Sequence, residues 1–225
     1  ITLSVYNLAA SFPAPIILAL LLNEVTNSKF KRIVQTVTYA PHFLSTVVVA
    51  GMLTTFLSPK TGIVNHLIAA LGGERIYFMG EAAWFKHIYV WSGVWQHTGW
   101  SAIVYLAALT SVDQQLHEAA IIDGANKLQR IWYINIPTIL PTAIILLILN
   151  LGQIMNVGFE KVFLLQNDLN LKSSDVISTY VYRMGLIGAQ YSFSTAVGLF
   201  NSVINLILLL TVNKITGKLD QTTLF

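Results

Sequence analysis

The sequence predicts an all-α, polytopic membrane protein. Of its 225 residues, 55% are hydrophobic and only 10% are charged, whereas about a quarter of the residues in an average soluble domain are charged. The apolar residues are gathered in long blocks, close to the length of about 20 residues that a membrane-spanning helix needs. These blocks do not alternate apolar and polar residues as the strands of an outer-membrane barrel do. Helices are expected, because backbone groups in lipid must find hydrogen-bond partners within their own segment.

Five stretches have the length and composition of a membrane-spanning helix. Together with their linkers they are expected to form a single transmembrane domain over residues 1–225. The sequence begins at Ile1, inside an apolar stretch and without the charged region of a signal peptide, so we expect part of the protein to precede this residue. The candidate spans are residues 2–23, 35–57, 87–110, 138–159 and 192–213.

The linkers between these spans differ in composition. Residues 24–34 are basic, residues 58–86 are rich in glycine and suit a loop with a short helix, and residues 160–191 mix charged with aromatic side chains. Placing 24–34, 111–137 and the tail 214–225 on one side of the membrane assigns seven Lys and Arg to that side and six to the other. This weak bias, together with the compact basic cluster in the first linker, places the first set in the cytoplasm.

The remaining composition argues against several kinds of site. The net charge is only +3 and no polybasic run occurs, so nucleic acid is not an expected partner. The chain has no cysteine, and its five histidines lack the spacing of metal ligands, so no metal site is expected. The phosphate-binding pattern G-x-x-x-x-G-K-[ST] is absent, and no nucleophile–base arrangement is visible. We therefore expect neither ATP hydrolysis nor another enzymatic activity in this chain.

Residues 111–137 are too polar to span a membrane and too regular for a simple loop. Ser111 or Asp113 can cap the start of a helix, and no glycine or proline follows until Gly124. Gly124 stands where the end of a helix favours a residue with positive φ. A second apolar pattern at helical spacing then runs to Pro137, which can open the next membrane helix. The pattern predicts two short helices joined by a glycine turn at the membrane surface.

The same segment resembles the EAA loop of permeases from binding-protein-dependent ABC importers. The family pattern is Glu-Ala-Ala, three residues, Gly, nine residues and Ile-x-Leu-Pro, and this chain departs from it by Ile136 in place of Leu. The Asp-Gly-Ala extension common in the family is present at 123–125. The alternative, an ordinary amphipathic helix pair, would leave this spacing to chance. The matching residues are Glu118, Ala119, Ala120, Gly124, Ile134, Ile136 and Pro137.

Further stretches resemble carbohydrate-import permeases of the LplB and maltose types, so the resemblance covers essentially the whole chain. It implies the MetI-like permease fold, with one more membrane helix before Ile1. It also implies a location in the bacterial cytoplasmic membrane and the import of an oligosaccharide or polysaccharide fragment. The stretches are ALLLNE (19–24), YAPHFLS (39–45), FEKVFLLQN (159–167), DVISTYVYRMG (175–185) and YSFSTAVGLFNSVINLILL (191–209).

The resemblance also implies partners and a role for the EAA loop. The loop would face the cytoplasm and dock into a cleft of an ATPase subunit, so that it couples ATP hydrolysis to transport. The implied partners are a second homologous permease, two ATP-binding subunits that hold ATP and Mg, and an extracytoplasmic solute-binding protein. No cofactor is expected in this chain itself. The implied coupling residues are Glu118, Ala119, Ala120, Asp123 and Gly124.

Polar and aromatic side chains inside the candidate spans mark an expected substrate path. Polar groups in a membrane helix usually face the helix bundle or a wet cavity. Amides on the fourth span recur at helical spacing and share one face, and two asparagines on the fifth lie one turn apart. The alternative is that these amides bond between helices or to the partner permease, and that Trp95 packs against other helices or anchors its helix at the membrane interface; both interpretations stay open. The residues are Asn150, Gln153, Asn156, Asn201, Asn205, Trp95 and Gln96.

Other classes of membrane protein fit the sequence less well. A secondary transporter driven by an ion gradient would show inverted repeats and membrane-embedded acids, and neither is visible. A membrane scaffold or enzyme has no motif to support it. An ABC importer for amino acids, peptides or an anion is separated from a sugar importer only by the resemblance to the LplB type.

Overall fold

The computed structural model describes residues 1–220, with the backbone alone for 218–220, so residues 221–225 of the predicted tail lie outside the described part. Throughout that part the regular structure is helical, which confirms the predicted all-α class. The α-helices are α1 (Thr2–Ser11), α2 (Pro13–Asn23), α3 (Ser28–Tyr39), α4 (Thr46–Phe56), α5 (Ile63–Ala70), α6 (Ala82–Leu109), α7 (Gln114–Ile122), α8 (Lys127–Arg130), α9 (Ile136–Gly152), α10 (Phe159–Leu165), α11 (Leu171–Ser174), α12 (Ile177–Tyr182) and α13 (Tyr191–Asp220).

Fewer helices qualify as membrane spans by length and composition than the five that the sequence predicts. Within the described residues, three helical stretches are long and apolar enough, or four if one bent pair counts as a single span. The third predicted span corresponds to α6, which has 28 residues and is long enough to cross a membrane. Its middle carries Gln96 and His97, which make it less apolar than the others. The three stretches are Thr2–Asn23, Lys127–Gly152 and Tyr191–Gly217.

The second predicted span is bent. Its helical parts, Ser28–Phe43 and Thr46–Phe56, meet at an angle of 100°. Pro41 lacks an N–H donor and disfavours helix at the preceding residue, and the chain passes there into a short 3₁₀ turn. Ser45 then caps the next helix, because its Oγ accepts a hydrogen bond from the Val48 N–H at 3.3 Å. One proline and one capping serine thus explain why a continuous apolar stretch does not form a straight helix.

The first linker is shorter than the sequence predicts. Residues 24–34 are predicted to link the first two spans, but the helix that continues toward the second span, α3, already begins at Ser28. Asn27 caps it, with its Oδ1 accepting the N–H groups of Lys29 and Phe30 at 3.0 and 3.1 Å. The basic cluster therefore lies on the first turns of a helix rather than in a loop.

The fourth predicted span, 138–159, is displaced toward the N-terminus. α8, a π-helical turn at Ile131–Asn135 and α9 form one helical stretch over Lys127–Gly152. Pro137 lies in the first turn of α9, where its missing N–H costs least. After Gly152 the chain leaves the helix until α10 begins. The second short helix predicted within 111–137 is therefore the start of a membrane span and not a separate element.

The packing contacts divide the chain into two compact units, each drawn from three stretches of sequence. The prediction of a single domain over 1–225 remains a prediction. The first unit comprises Ile1–Asn7, Phe43–Gly93 and Met155–Ile204, and the second comprises Leu8–His42, Val94–Ile154 and the described part of Asn205–Phe225.

Buried asparagines organise the linkers of the first unit. Asn65 on α5 is only 1% exposed; its Oδ1 accepts the Ile76 N–H at 2.8 Å, and its Nδ2 reaches the Ile76 and Leu57 carbonyls. Asn170 is equally buried and donates to the carbonyls of Met79 and Leu165, both at 3.0 Å. Buried polar groups are stable only when they are hydrogen-bonded. These two side-chain amides supply hydrogen bonds to backbone groups of the linkers, which lack the regular hydrogen bonding of a helix.

The second unit has an apolar core between α2, α6 and α9. Small residues let the helices approach closely: a Cβ added at Gly99 of α6 would overlap the Thr38 carbonyl of α3. Close approach through small residues is a common means of packing helices in membranes. The buried core residues are Ala19, Leu20, Ala102, Tyr105, Leu109, Ile139 and Ala143.

Candidate coupling loop and substrate cavity

The segment with the EAA pattern folds as a capped helix followed by a tight turn. Asp113 caps α7, with its Oδ1 accepting the Gln115 N–H at 2.9 Å. Asn126 caps α8 and forms a reciprocal capping box with Gln129, through bonds of 2.8 and 2.9 Å. Of the two predicted capping residues, Asp113 is the one that caps. Side chains rather than distant contacts thus define where both helices begin.

Gly124 makes the turn between the two helices. Its φ is +80°, a backbone conformation that costs a residue with a Cβ about 1–2 kcal/mol. The next residue, Ala125, donates its N–H to the Ala120 carbonyl at 2.9 Å and closes the end of α7. A Cβ at Gly124 would meet nothing within 4 Å. The predicted positive φ is confirmed, and the requirement for glycine comes from the backbone and not from crowding within this chain.

The predicted coupling residues are grouped on this helix and turn. Glu118, Ala119, Asp123 and Gly124 are exposed, and Ala120 is half-buried. Large apolar side chains that the sequence analysis did not select stand beside them: Ile122 is 86% exposed and Leu128 76% exposed. Exposed apolar side chains that cluster on one surface mark a site that a partner protein or lipid covers, whereas isolated ones are ordinary. Ile122 and Leu128 both lie within the EAA segment. Large apolar side chains in an otherwise polar segment were the signal in the sequence that could have identified them.

A cavity of about 500 Å³ lies within the first unit, between α12, the start of α13 and the chain after α9. Two of the predicted substrate-path residues, Asn156 and Asn201, line it, and the Asn201 Nδ2 donates to the Asn156 Oδ1 at 2.9 Å. The structure therefore joins two amides that the sequence placed on different spans. Other lining residues, which the sequence analysis did not select, are Phe159, Ser178, Tyr182, Tyr191 and Ser194.

Two of the lining residues carry a buried polar atom without a described partner. The Asn201 Oδ1 and the Ser178 Oγ are shielded from solvent and have no hydrogen-bond partner among the described residues. Phe159 and Tyr182 form an aromatic wall, with ring centroids 5.2 Å apart. An unpaired buried polar atom is costly, so these two atoms gain a partner only where the local structure rearranges or another group reaches them. Hydroxyl-binding groups beside aromatic faces are the chemistry that a sugar ring requires.

The other predicted path residues do not join this cavity. Asn150 and Gln153 are exposed, and the Asn150 Nδ2 donates to the Leu146 carbonyl of its own helix at 2.7 Å. The predicted shared face of Asn150, Gln153 and Asn156 is wrong, because the helix ends at Gly152 before it reaches the last of them. The remaining three lie in the second unit: Asn205 has a buried Oδ1 without a described partner, Gln96 is 4% exposed and Trp95 is 50% exposed.

Two further polar contacts involve residues for which the sequence analysis gives no role. Lys161 on α10 donates to the Tyr89 carbonyl at 3.0 Å, and burial lowers its pKa to about 8. In the second unit, His42 and His97 lie with their Nδ1 atoms 3.1 Å apart, and His42 stacks on Trp100. Groups of three or more His, Cys, Asp or Glu that could hold a metal do not occur among the described residues. These contacts connect helices, and their residues are not among those that line the cavity.

Comparison with known proteins agrees with the resemblance found in the EAA loop. Protein LplB of Bacillus subtilis (strain 168) is 48% identical over 219 residues, which cover 97% of this chain and 69% of that protein. The polygalacturonan/rhamnogalacturonan transport system permease protein YteP of the same organism is 45% identical, over 96% of this chain and 67% of that protein.

A solved structure has nearly the same fold. It is a crystal structure of a bacterial alginate ABC transporter in complex with an alginate pentasaccharide-bound periplasmic protein. One of its chains matches with a TM-score of 0.96 and 45% identity, over 99% of this chain and 77% of that chain. The family described as "Binding-protein-dependent transport system inner membrane component" matches residues 11–219. The chain therefore belongs to this family, and it is a transmembrane permease subunit of an ABC importer and not an enzyme.

Proposed function

We propose that this permease imports an oligosaccharide or a polysaccharide fragment across the bacterial cytoplasmic membrane. The observation that carries the proposal is the match to the alginate transporter, at 45% identity over 99% of this chain. The name of YteP, a polygalacturonan/rhamnogalacturonan permease, supports the same class of cargo. A more distant relative, at 27% identity, is the arabinooligosaccharides transport system permease protein AraP of Bacillus subtilis. All three names specify saccharides longer than one unit.

The proposed machine needs other subunits. This chain pairs with a second homologous permease, and two ATP-binding subunits hold ATP and Mg. An extracytoplasmic binding protein delivers the cargo, as the periplasmic protein with bound alginate pentasaccharide in the related structure supports. The loop between α6 and α9 faces the cytoplasm in this arrangement.

The coupling step uses the exposed face of α7 and its glycine turn. Closure of the ATP-binding subunits moves this loop, with Ala119 and Ala120 allowing close approach and Glu118 supplying a charged contact. The exposed Ile122 and Leu128 supply the apolar area that such a contact buries. ATP can drive the switch between inward-facing and outward-facing states only through different affinities of the assembly for those two states.

The cavity of the first unit supplies contacts for the passing sugar. Asn156 and Asn201 line it with amides, Ser178 with a hydroxyl and Tyr182 with an aromatic side chain. Weak, exchangeable contacts suit transport, since a site that binds tightly would retain its cargo. A second interpretation is that these polar groups bond to the partner permease. In that case their removal should impair assembly of the two permeases and leave the affinity for cargo unchanged.

Uptake by the reconstituted transporter tests the proposal. The permease pair, the ATPase subunits and the binding protein are placed in proteoliposomes, and labelled oligosaccharides, amino acids and peptides are offered in parallel. We expect uptake of oligosaccharide that requires both ATP inside and the loaded binding protein outside. Uptake that persists without ATP under an imposed ion gradient would contradict an ABC importer. Uptake of amino acids or peptides alone would contradict the sugar cargo and leave the importer intact.

A further inference from the structure

A small polar cluster joins the EAA loop to the end of the first membrane span. Glu24 follows directly after α2, and its Oε2 lies 3.7 Å from the Arg130 Nη2 at the end of α8. Asn135, in the π-helical turn, donates from its Nδ2 to the Glu24 Oε1 at 3.3 Å. One carboxylate at the end of the first span therefore holds two side chains from the stretch that leads from the loop into the next span.

The cluster is largely shielded from water. The side chains of Arg130 and Glu24 are 16% and 17% exposed, and Asn135 is 0% exposed. The other ion pair among the described residues, Arg183–Asp175, is 39% and 32% exposed. Taking two charges out of water costs free energy that their mutual attraction often fails to recover, so a shielded ion pair is weak evidence for a purely stabilising role.

The hydrogen bonding of the cluster is incomplete. The Arg130 Nε, a donor, and the Asn135 Oδ1, an acceptor, are both buried and have no partner among the described residues. An unmatched donor and an unmatched acceptor beside the same carboxylate leave this arrangement short of full hydrogen bonding, so a different arrangement of Arg130 can satisfy more of the groups. Asn135 also lies in a π-helical turn, a feature that occurs frequently at functional sites.

We infer that Glu24, Arg130 and Asn135 form a link that transmits movement of the coupling loop to the first membrane span. The inference rests on the proposed function, in which the loop contacts the ATPase subunits. Glu24 is then a positioning residue: it touches neither cargo nor nucleotide, and it acts through the two side chains that it holds. A merely structural ion pair would affect the stability of the permease and leave the ratio of transport to ATP hydrolysis unchanged.

Substitution in the complete transporter tests the link. Glu24→Gln keeps the shape and an acceptor for Asn135 but removes the charge that attracts Arg130. In proteoliposomes with the binding protein, the measured quantity is the cargo transported per ATP hydrolysed. We expect Glu24→Gln and Arg130→Gln each to lower this ratio several-fold while the ATPase subunits still co-purify. The double variant should lose no more than the worse single variant, since both act on one link.

Matched controls separate this inference from the proposed function. Asp175→Asn removes the other ion pair and should leave the transport ratio unchanged. If Gly124→Trp uncouples transport but Glu24→Gln retains the wild-type ratio, the link is refuted and the coupling loop stands. If neither variant uncouples, the loop assignment itself fails. Should Glu24→Gln not assemble, Arg130→Gln carries the test, and a wild-type ratio there also overturns the inference.

Discussion

Gly124 offers the sharpest test of the coupling loop, because the chain contains a matched control for it. Gly72 has a φ of +85° and Gly124 a φ of +80°, and a Cβ at either position would meet nothing within 4 Å. A side chain at either position therefore costs the same backbone strain, about 1–2 kcal/mol. The two glycines differ in place alone: Gly124 lies within the EAA pattern, and Gly72 follows α5 in a different linker. Any larger effect at Gly124 must come from a partner.

We expect Gly124→Trp to abolish most transport and Gly72→Trp to leave most of it. If the indole blocks one central contact with the ATPase subunit, about 2 kcal/mol of association free energy is lost. That loss corresponds to roughly 30-fold weaker docking. Transport and ATP hydrolysis stimulated by the binding protein are measured in proteoliposomes, with co-purification of the ATPase subunits as the direct readout of docking. Gly124→Ala, which adds strain without bulk, should resemble Gly72→Ala. Equal transport by the two Trp variants would refute the coupling assignment.

Three further variants test the packing, the cavity and the buried lysine. Gly99→Ala should lower the free energy of unfolding by about 1–3 kcal/mol, because its Cβ would overlap the rigid Thr38 carbonyl. Thermal unfolding in detergent measures this loss. The control is Gly51→Ala, whose Cβ would meet nothing within 4 Å and which should show no such loss. Asn201→Ala should raise the KM for cargo about tenfold, because one or two hydrogen bonds worth about 1 kcal/mol each are lost. An unchanged KM together with impaired assembly would instead favour a contact between Asn201 and the partner permease. The pKa of Lys161 is lowered from 10.5 to about 8, so between these pH values the unfolded chain holds a proton that the folded chain has released. Stability should therefore rise with pH across that window in the wild type and stay level in Lys161→Met, as melting curves against pH would measure.

Local signals in the sequence were sufficient to predict the capped helix and the glycine turn of the EAA segment. The Asp113 cap, the positive φ of Gly124 and the proline at the start of α9 each depend on a few neighbouring residues. Such features are decided by backbone sterics and short-range hydrogen bonds, which the residue types specify directly. This segment was also where the resemblance to the family was most specific.

The substrate cavity could be predicted only in part, because its geometry depends on where helices stop. Continuing the fourth span as a helix to residue 159 placed Asn150, Gln153 and Asn156 on one face. The apolar character of the stretch hides the end of the helix at Gly152, which lets the chain turn and bring Asn156 to Asn201. Ser178 and Tyr182 come from a linker that carries no strong pattern in the sequence, so nothing local marks them as neighbours of these amides.

The continuity of the coupling loop with a membrane span matters most for mechanism. If the second short helix predicted within 111–137 were separate from the next span, the connection between them could bend. Movement of the loop would then not reach the membrane span. Instead, residues 127–152 form one helical stretch that starts at the capping box of Asn126. Displacement of its N-terminus moves the span unless it is taken up at the π-helical turn, where Asn135 holds Glu24, or at Pro141 inside α9. The π-helical turn combines a departure from α-helical geometry with a contact to the end of the first span, and the proposed link therefore assigns to Glu24, rather than to an EAA residue, the step that carries motion beyond the loop.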